Sequence, residues 1–315
     1  MPGASQIPIV YNVGMLHFGI LNVNKPTCLT SRDVVDRVER LVRPARAGHA
    51  GTLDPLATGV LVICVGQATR LTKYVQRMPK SYRATFLLGQ RSDTDDVAGT
   101  VVAVEGAGDP GREAVERELA KFVGKIEQRP PAHSAVKLAG RRAYHLARRG
   151  VAVNLKPRTI TIHKMAVRSY EFPKVEVDVE CGSGTYIRAL GRDLGEALGT
   201  GAVMSALERT AIGAFRVDNA LRVEDLNAES LVKQIQPPLL AVTGLPRISL
   251  TKAQLLEVYH GRPILISWLP DNVEGLKGGA DIVAVSSAGQ LAAILFEKRP
   301  GELWAHMNFN KSAER

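Results

Sequence analysis

From Gly59 to Gly66 the chain reads Gly-Val-Leu-Val-Ile-Cys-Val-Gly, six apolar side chains in a row with a glycine at each end. A run this short and this uniformly apolar predicts a strand buried on both faces. Such a strand needs neighbours in its sheet and packed layers on either side, and the rest of the chain must provide them. Lys174 to Cys181 alternates: Val175, Val177, Val179 and Cys181 face one way, Lys174, Glu176, Asp178 and Glu180 the other. That is the pattern of a half-buried strand, and Tyr82 to Leu88 repeats it. His17 to Val23 reads as a further strand. Helical spacing appears at Val34, Val35, Val38, Leu41 and Val42, behind a capping signal at Thr30-Ser31 and stopped by Pro44. It appears again at Ile187, Leu190, Leu194 and Leu198, with Thr185 as the expected N-cap. Strands and helices mix without strict alternation, so the fold class expected is α+β with a mixed or largely antiparallel sheet.

Residues 1–16 carry no clear pattern and read as an extension. Pro237-Pro238 and Pro246 punctuate the chain near residue 240. Beyond them, a helical patch (Thr251 to Tyr259) precedes two strand-like runs, Asp281 to Ser286 and Gln290 to Phe296, which flank a Ser-Ala-Gly turn in the manner of a hairpin. The domains expected are therefore a large unit over 17–240 and a small β-rich unit over 241–315.

The charge narrows the partners. With 41 Lys and Arg against 31 Asp and Glu the chain carries +10, which favours a polyanion, either nucleic acid or an acidic membrane surface. No basic amphipathic helix with exposed aromatics supports a membrane. The surplus is concentrated: Arg129, Lys137, Arg141, Arg142, Arg148, Arg149, Lys156 and Arg158 fall in a stretch with no acidic residue, which also holds Tyr144 and His145. Clustered cations with aromatics among them predict an RNA-binding insertion over about 125–158. The three cysteines, Cys28, Cys64 and Cys181, are far apart and show no metal-ligand spacing, so neither a disulfide framework nor a zinc site is expected, and a reducing cytoplasm fits.

The chemistry is concentrated in Arg46-Ala-Gly-His-Ala-Gly-Thr-Leu-Asp-Pro-Leu-Ala-Thr-Gly59, an irregular loop rich in glycine that feeds the apolar strand. His49 and Asp54 are its side chains with acid, base or nucleophilic capacity, and a carboxylate on such a loop can be held rigidly and partly dry. On the loop alone, the better reading of Asp54 is a turn residue before Pro55.

The whole segment resembles the active-site motif of the TruB/dyskerin family of pseudouridine synthases. Other motifs follow in the family's order over residues 17–220: Lys25-Pro26, Tyr82-Arg83, Leu88 to Asp96, Pro130-Pro131 with Ser134 to Lys137, Gly184 to Arg188, and Leu207-Glu-Arg-Thr210. The resemblance implies a tRNA-modifying isomerase with Asp54, Tyr82 and Arg188 as catalytic residues. Asp54 would attack the nucleoside, Tyr82 would stack on the flipped uracil and help to move the C5 proton, and Arg188 would pair with Asp54. It further implies that His49, Tyr186, Leu207, Lys25, Lys137, Arg141 and Arg142 bind the substrate, the uridine of the tRNA T loop. A target base must leave the stack to be reached, and a redox-neutral isomerisation needs no metal or organic cofactor. The resemblance makes the C-terminal unit PUA-like and implies no obligate protein partner. The competing readings are an RNA-guided synthase of the dyskerin branch and a non-catalytic RNA-binding or RNA-folding protein. Departures from the family's pattern are Cys28 in place of glycine, Asn24 before Lys25, Arg70 in place of lysine, and Glu208 in place of arginine.

Overall fold

The computed structural model describes residues 18–131, 155–269 and 279–309, together with the backbone of the strands Lys137–Leu138 and Arg141–Arg142. Its centre is a ten-stranded mixed sheet. The strand β1 (Phe18–Lys25) is followed by β2 (Ala47–His49), β3 (Thr58–Gly66) and β4 (Lys80–Leu88). In space the order runs Leu221–Arg222, β1, β3, Ala202–Ile212, β4, Lys174–Cys181, Arg158–Glu171, Gly124–Gln128, with β2 added on β3. Most neighbours are antiparallel. The parallel pairs are β1 with Leu221–Arg222, and β3 with Ala202–Ile212.

The apolar run behaves as its sequence predicts, for every residue from Gly59 to Val65 is buried. β4 keeps a strict buried/half-buried alternation, as does most of Lys174–Cys181. On one side, α1 (Ser31–Leu41) buries Val34, Val35 and Val38 against Leu61, Ile63 and Val65 of β3. Its N-cap is Thr30, in a reciprocal capping box with Asp33, which satisfies two backbone donors the helix leaves over. Leu41, expected in the buried stripe, is exposed. The helix Ile187–Ala197 packs Ile187, Leu190 and Leu194 onto Phe86, Val177 and Met204. The N-cap expected at Thr185 is not found. Tyr186 takes that position, and the Thr185 hydroxyl instead donates to the Gly182 carbonyl at 3.2 Å.

The chain beyond residue 246 forms a five-stranded sheet. The expected hairpin is Ile282–Val285 with Leu291–Arg299, and the helix Lys252–Tyr259 is capped by Thr251. This sheet is packed directly on the large one: Val283, Leu291, Ile294 and Phe309 share a core with Ile20, Val60, Val62 and Leu71. Phe309 stacks on Phe18 with ring centroids 5.4 Å apart, and Arg70 donates to the Asn308 carbonyl at 2.8 Å. Among the described residues no helix is long and apolar enough to cross a membrane.

Candidate active site

The centre of the sheet is where the site lies. β3 and the strand Ala202–Ile212 pair only at Glu208–Thr58 and Arg209–Gly59, and the loop carrying Asp54 leaves the sheet there. Gly59 has φ +95, and a Cβ on it would stand 2.3 Å from the Arg209 carbonyl oxygen. The close approach of the two strands therefore requires glycine.

Two sides hold the loop. Ser31 Oγ accepts from the Leu53 amide at 2.8 Å and donates to the Leu53 carbonyl at 3.0 Å, and the Cys28 amide donates to Pro55 O at 2.9 Å. From the other side the buried Arg209 donates from Nε to Val60 O (2.7 Å), from Nη2 to Gly51 O (3.0 Å) and from Nη1 to Thr52 O (3.4 Å). The Asp54 side chain projects from this cradle with 41% of its surface exposed. Its Oδ2 lies 3.1 Å from Arg188 Nε.

Arg188 is buried and held from a second direction. Its Nη1 reaches Asp96 Oδ2 at 3.3 Å and the Thr94 carbonyl at 2.9 Å. One guanidinium thus spans two carboxylates, Asp96 in the interior and Asp54 at the surface, and its plane is fixed by both.

These groups border a cavity of about 610 Å³ lined by Asp54, Tyr82, Tyr186, Arg188, Leu207 and Arg209, among others. That is the size range of small-ligand sites. The Tyr82 ring is buried, and burial pushes its phenol above the ordinary tyrosine range, the neighbouring Arg209 opposing the shift. A phenol so placed stays protonated and offers a face and a hydrogen-bond donor. Tyr186 is fixed by the buried Gln128, which bonds both its amide and its carbonyl at 2.9 Å, and Arg158 lies over its ring at 4.6 Å.

Of the residues expected at the site, Asp54, Tyr82, Arg188, Tyr186 and Leu207 are brought together here. Lys25 is not. It is fully buried, and its ammonium donates to the carbonyls of Pro26 (2.9 Å), Leu29 (2.7 Å) and Pro55 (3.4 Å), so it braces the loop from behind and offers nothing to a substrate. Burial lowers it to about 8. His49 is half-buried on β2 and does not line the cavity; its buried Nδ1 has no hydrogen-bond partner among the described residues, and burial, then Arg209 and Arg32, push the ring below the usual histidine range. The side chains of Lys137, Arg141 and Arg142 lie outside the described residues, as do Tyr144, His145, Arg148 and Arg149.

Three contributors carry no role in the sequence reading. Asp96 is one acid among several in its block, and nothing local distinguishes it. Arg209 lies in a quoted motif, where an arginine in a strand full of apolar residues is the available signal. Lys80, buried at the cavity wall with its ammonium on the Gln76 (2.7 Å) and Met78 (2.8 Å) carbonyls, gives none. Among the departures, Cys28 adopts φ +67, the left-handed region where glycine is at ease. Glu208 pairs with Arg83 at 3.1 Å, and so occupies a cation as well as supplying none.

A mixed sheet with a loop-borne carboxylate, paired with arginine above an aromatic and apolar cavity, is the arrangement of a pseudouridine synthase. The model of the TruB family pseudouridylate synthase N-terminal domain matches residues 39–187, and that of the tRNA pseudouridylate synthase B C-terminal domain matches 188–240. The chain belongs to this family. It is 44% identical over 252 residues to tRNA pseudouridine synthase B of Microcystis aeruginosa, covering 78% of this chain and 84% of that one. The corresponding protein of an Arthrobacter species is 40% identical over 283 residues, 88% of this chain and 92% of its own. Among solved structures, a Cbf5-Nop10-Gar1 complex superposes with a TM-score of 0.72 at 28% identity, covering 90% of this chain and 79% of that one.

Proposed function

We propose that the protein converts uridine to pseudouridine in the T loop of tRNA, acting in the cytoplasm on tRNA alone. The observation that carries this reading is the Asp54 carboxylate, exposed at the cavity and held by Arg188 at 3.1 Å. The reaction breaks the C1′–N1 bond, turns the uracil and forms C1′–C5; the C5 proton leaves and N1 takes one up. Asp54 supplies the electron pair that frees the base, and its bond to the nucleoside breaks again by the end of the turnover, returning the carboxylate. Arg188 aims that carboxylate and, anchored by Asp96, does not follow it when it moves. Tyr82 and Leu207 hold the turning ring between an aromatic face and an aliphatic one, which restrains the freed base without fixing its angle. The buried Tyr82 ring serves as platform, and its hydroxyl helps to move the C5 proton, accepting it on oxygen while giving up its own hydrogen. Tyr186 closes the pocket, and the basic insertion over about 125–158, with His49, binds the RNA.

We assign the catalytic unit to residues 17–240 and a PUA-like unit to 241–315. The test is the mapping of pseudouridine in unmodified tRNA incubated with the purified protein, without guide RNA or a partner protein. Asp54→Asn should bind tRNA with near wild-type affinity and form no product. Product appearing only with an added guide RNA would move the protein to the RNA-guided branch, and wild-type protein that binds tRNA without product would make it a binding module.

A further inference from the structure

The cavity is richer in cations than a uracil requires. Lys73, Arg77, Lys80, Arg158, Arg188 and Arg209 all line it, against the single carboxylate of Asp54. Four of the six are committed to groups at the cavity itself. Arg188 answers Asp54 and Asp96, Arg209 and Lys80 donate to backbone carbonyls, and Arg158 lies on the Tyr186 ring and donates to the Gly184 carbonyl. The remaining two stand on one short helix, α2 (Thr72–Arg77). Residues four apart on a helix share a face, and here Lys73 and Arg77 share it with Gln76. The opposite side of the helix is committed to the interior through Tyr74 and Val75.

The two cations differ in their surroundings. Arg77 is exposed and makes no ion pair among the described residues. Lys73 lies 4.7 Å above the Tyr74 ring and 3.5 Å from Asp281 Oδ2, a carboxylate of the C-terminal unit that also accepts from the Tyr74 hydroxyl at 2.7 Å. Uracil is neutral and gives neither cation a partner. The phosphates on either side of a flipped nucleotide are anionic and arrive at the cavity mouth with it.

We propose that Lys73 and Arg77 grip the phosphates flanking the extruded uridine, and that Asp281 holds Lys73 in reserve until RNA takes its place. The proposal rests on the function proposed above and adds to it a substrate subsite, linked through one carboxylate to the C-terminal unit. Phosphate binding to Lys73 competes with the Asp281 pair, so that carboxylate sets how much affinity the lysine can contribute.

The test is the salt dependence of T-arm RNA binding by the full chain. Each cation lost from a single-stranded phosphate contact removes about 0.7 from the slope of log K against log salt. Lys73→Gln with Arg77→Gln should make the slope shallower by roughly 1.4, about a sevenfold smaller loss of affinity over a fourfold rise in salt. In turnover the defect should fall on KM rather than kcat. Asp281→Asn should tighten binding, and that gain should vanish in the Lys73→Gln background. If the double variant does not fold, Arg77→Gln alone must lower the slope by about 0.7. A wild-type slope in either variant, or a loss confined to kcat, overturns the clamp. An Asp281→Asn gain that survives Lys73→Gln overturns the reserve role. Wild-type protein that forms no pseudouridine would refute the function, while the slopes would still decide whether these two cations meet phosphate.

Discussion

Replacing Arg209 by methionine should separate the positioning of Asp54 from its chemistry. Arg209 is 2% exposed, makes no ion pair among the described residues, and directs its donors to three carbonyls of the catalytic loop and β3 and toward the Tyr82 hydroxyl. A hydrogen bond from a charged donor contributes about 1.5–3 kcal/mol. The bonds at 2.7 and 3.0 Å are well made and the one at 3.4 Å is marginal, so the loss is about 3–6 kcal/mol. Methionine is close in length and carries no charge, so the cost of burying a cation is lifted and part of this is recovered. A net loss of about 2–4 kcal/mol remains, a fall in Tm on the order of 3–6 °C for a chain of this length. The larger effect should be on turnover. Gly51 and Thr52 lie just before Asp54, and displacement of a reacting group by about 1 Å costs roughly a hundredfold. Urea unfolding measures the first effect. Single-turnover pseudouridine formation, at a temperature where circular dichroism shows the variant folded, measures the second. Arg209→Lys keeps the charge but can reach fewer of the three carbonyls, and should recover stability more than rate. An Arg209→Met protein within about 1 kcal/mol and twofold of wild type would refute the idea that this residue sets the loop.

Gly59→Ala places a methyl 2.3 Å from the Arg209 carbonyl at a φ of +95; it should cost more than about 3 kcal/mol, read as a lowered urea midpoint or as insoluble protein. Asp96→Asn leaves Arg188 with Asp54 and the Thr94 carbonyl; turnover should fall at least about tenfold, a loss of roughly 1.4 kcal/mol at the transition state, with RNA affinity near wild type. Burial lowers Lys80 to about 8 from 10.5. Between those values the unfolded chain binds the proton and the folded one has released it, so stability conferred by this site rises with pH there. The unfolding free energy of wild type should therefore gain on Lys80→Met by about 2 kcal/mol from pH 8 to 10, and a difference flat with pH would show that the ammonium stays charged in the fold.

Periodicity carries far in this chain because the main sheet has two kinds of strand that write differently. β3 is covered on both faces and is apolar throughout; β4 is covered more on one, and alternates. The Asp54 pair with Arg188 links residues far apart in sequence, and the resemblance anticipates it where spacing could not. What stays hidden has one physical origin, the burial of charge. Lys25, Lys80, Asp96, Arg188 and Arg209 are all buried. Exposure being the usual state of such residues, nothing in the sequence marks Lys80, Asp96 or Arg209 as interior, and it is the resemblance that places Lys25 at the substrate. Inside the fold these cations replace water for carbonyls that an irregular loop cannot pair with itself, an accounting that buried backbone always demands. The same irregularity lets Asp54 stand clear of secondary structure with its carboxylate at the cavity, paired to Arg188. Basic charge in this chain thus serves two ends. Part of it faces outward as a basic surface, and part is sunk into the sheet to build a rigid turn from residues that would otherwise be a flexible loop. A variant that removes charge from one of these two pools should weaken the loop where it is Arg209→Met and RNA binding where it is Arg77→Gln, with little exchanged between them.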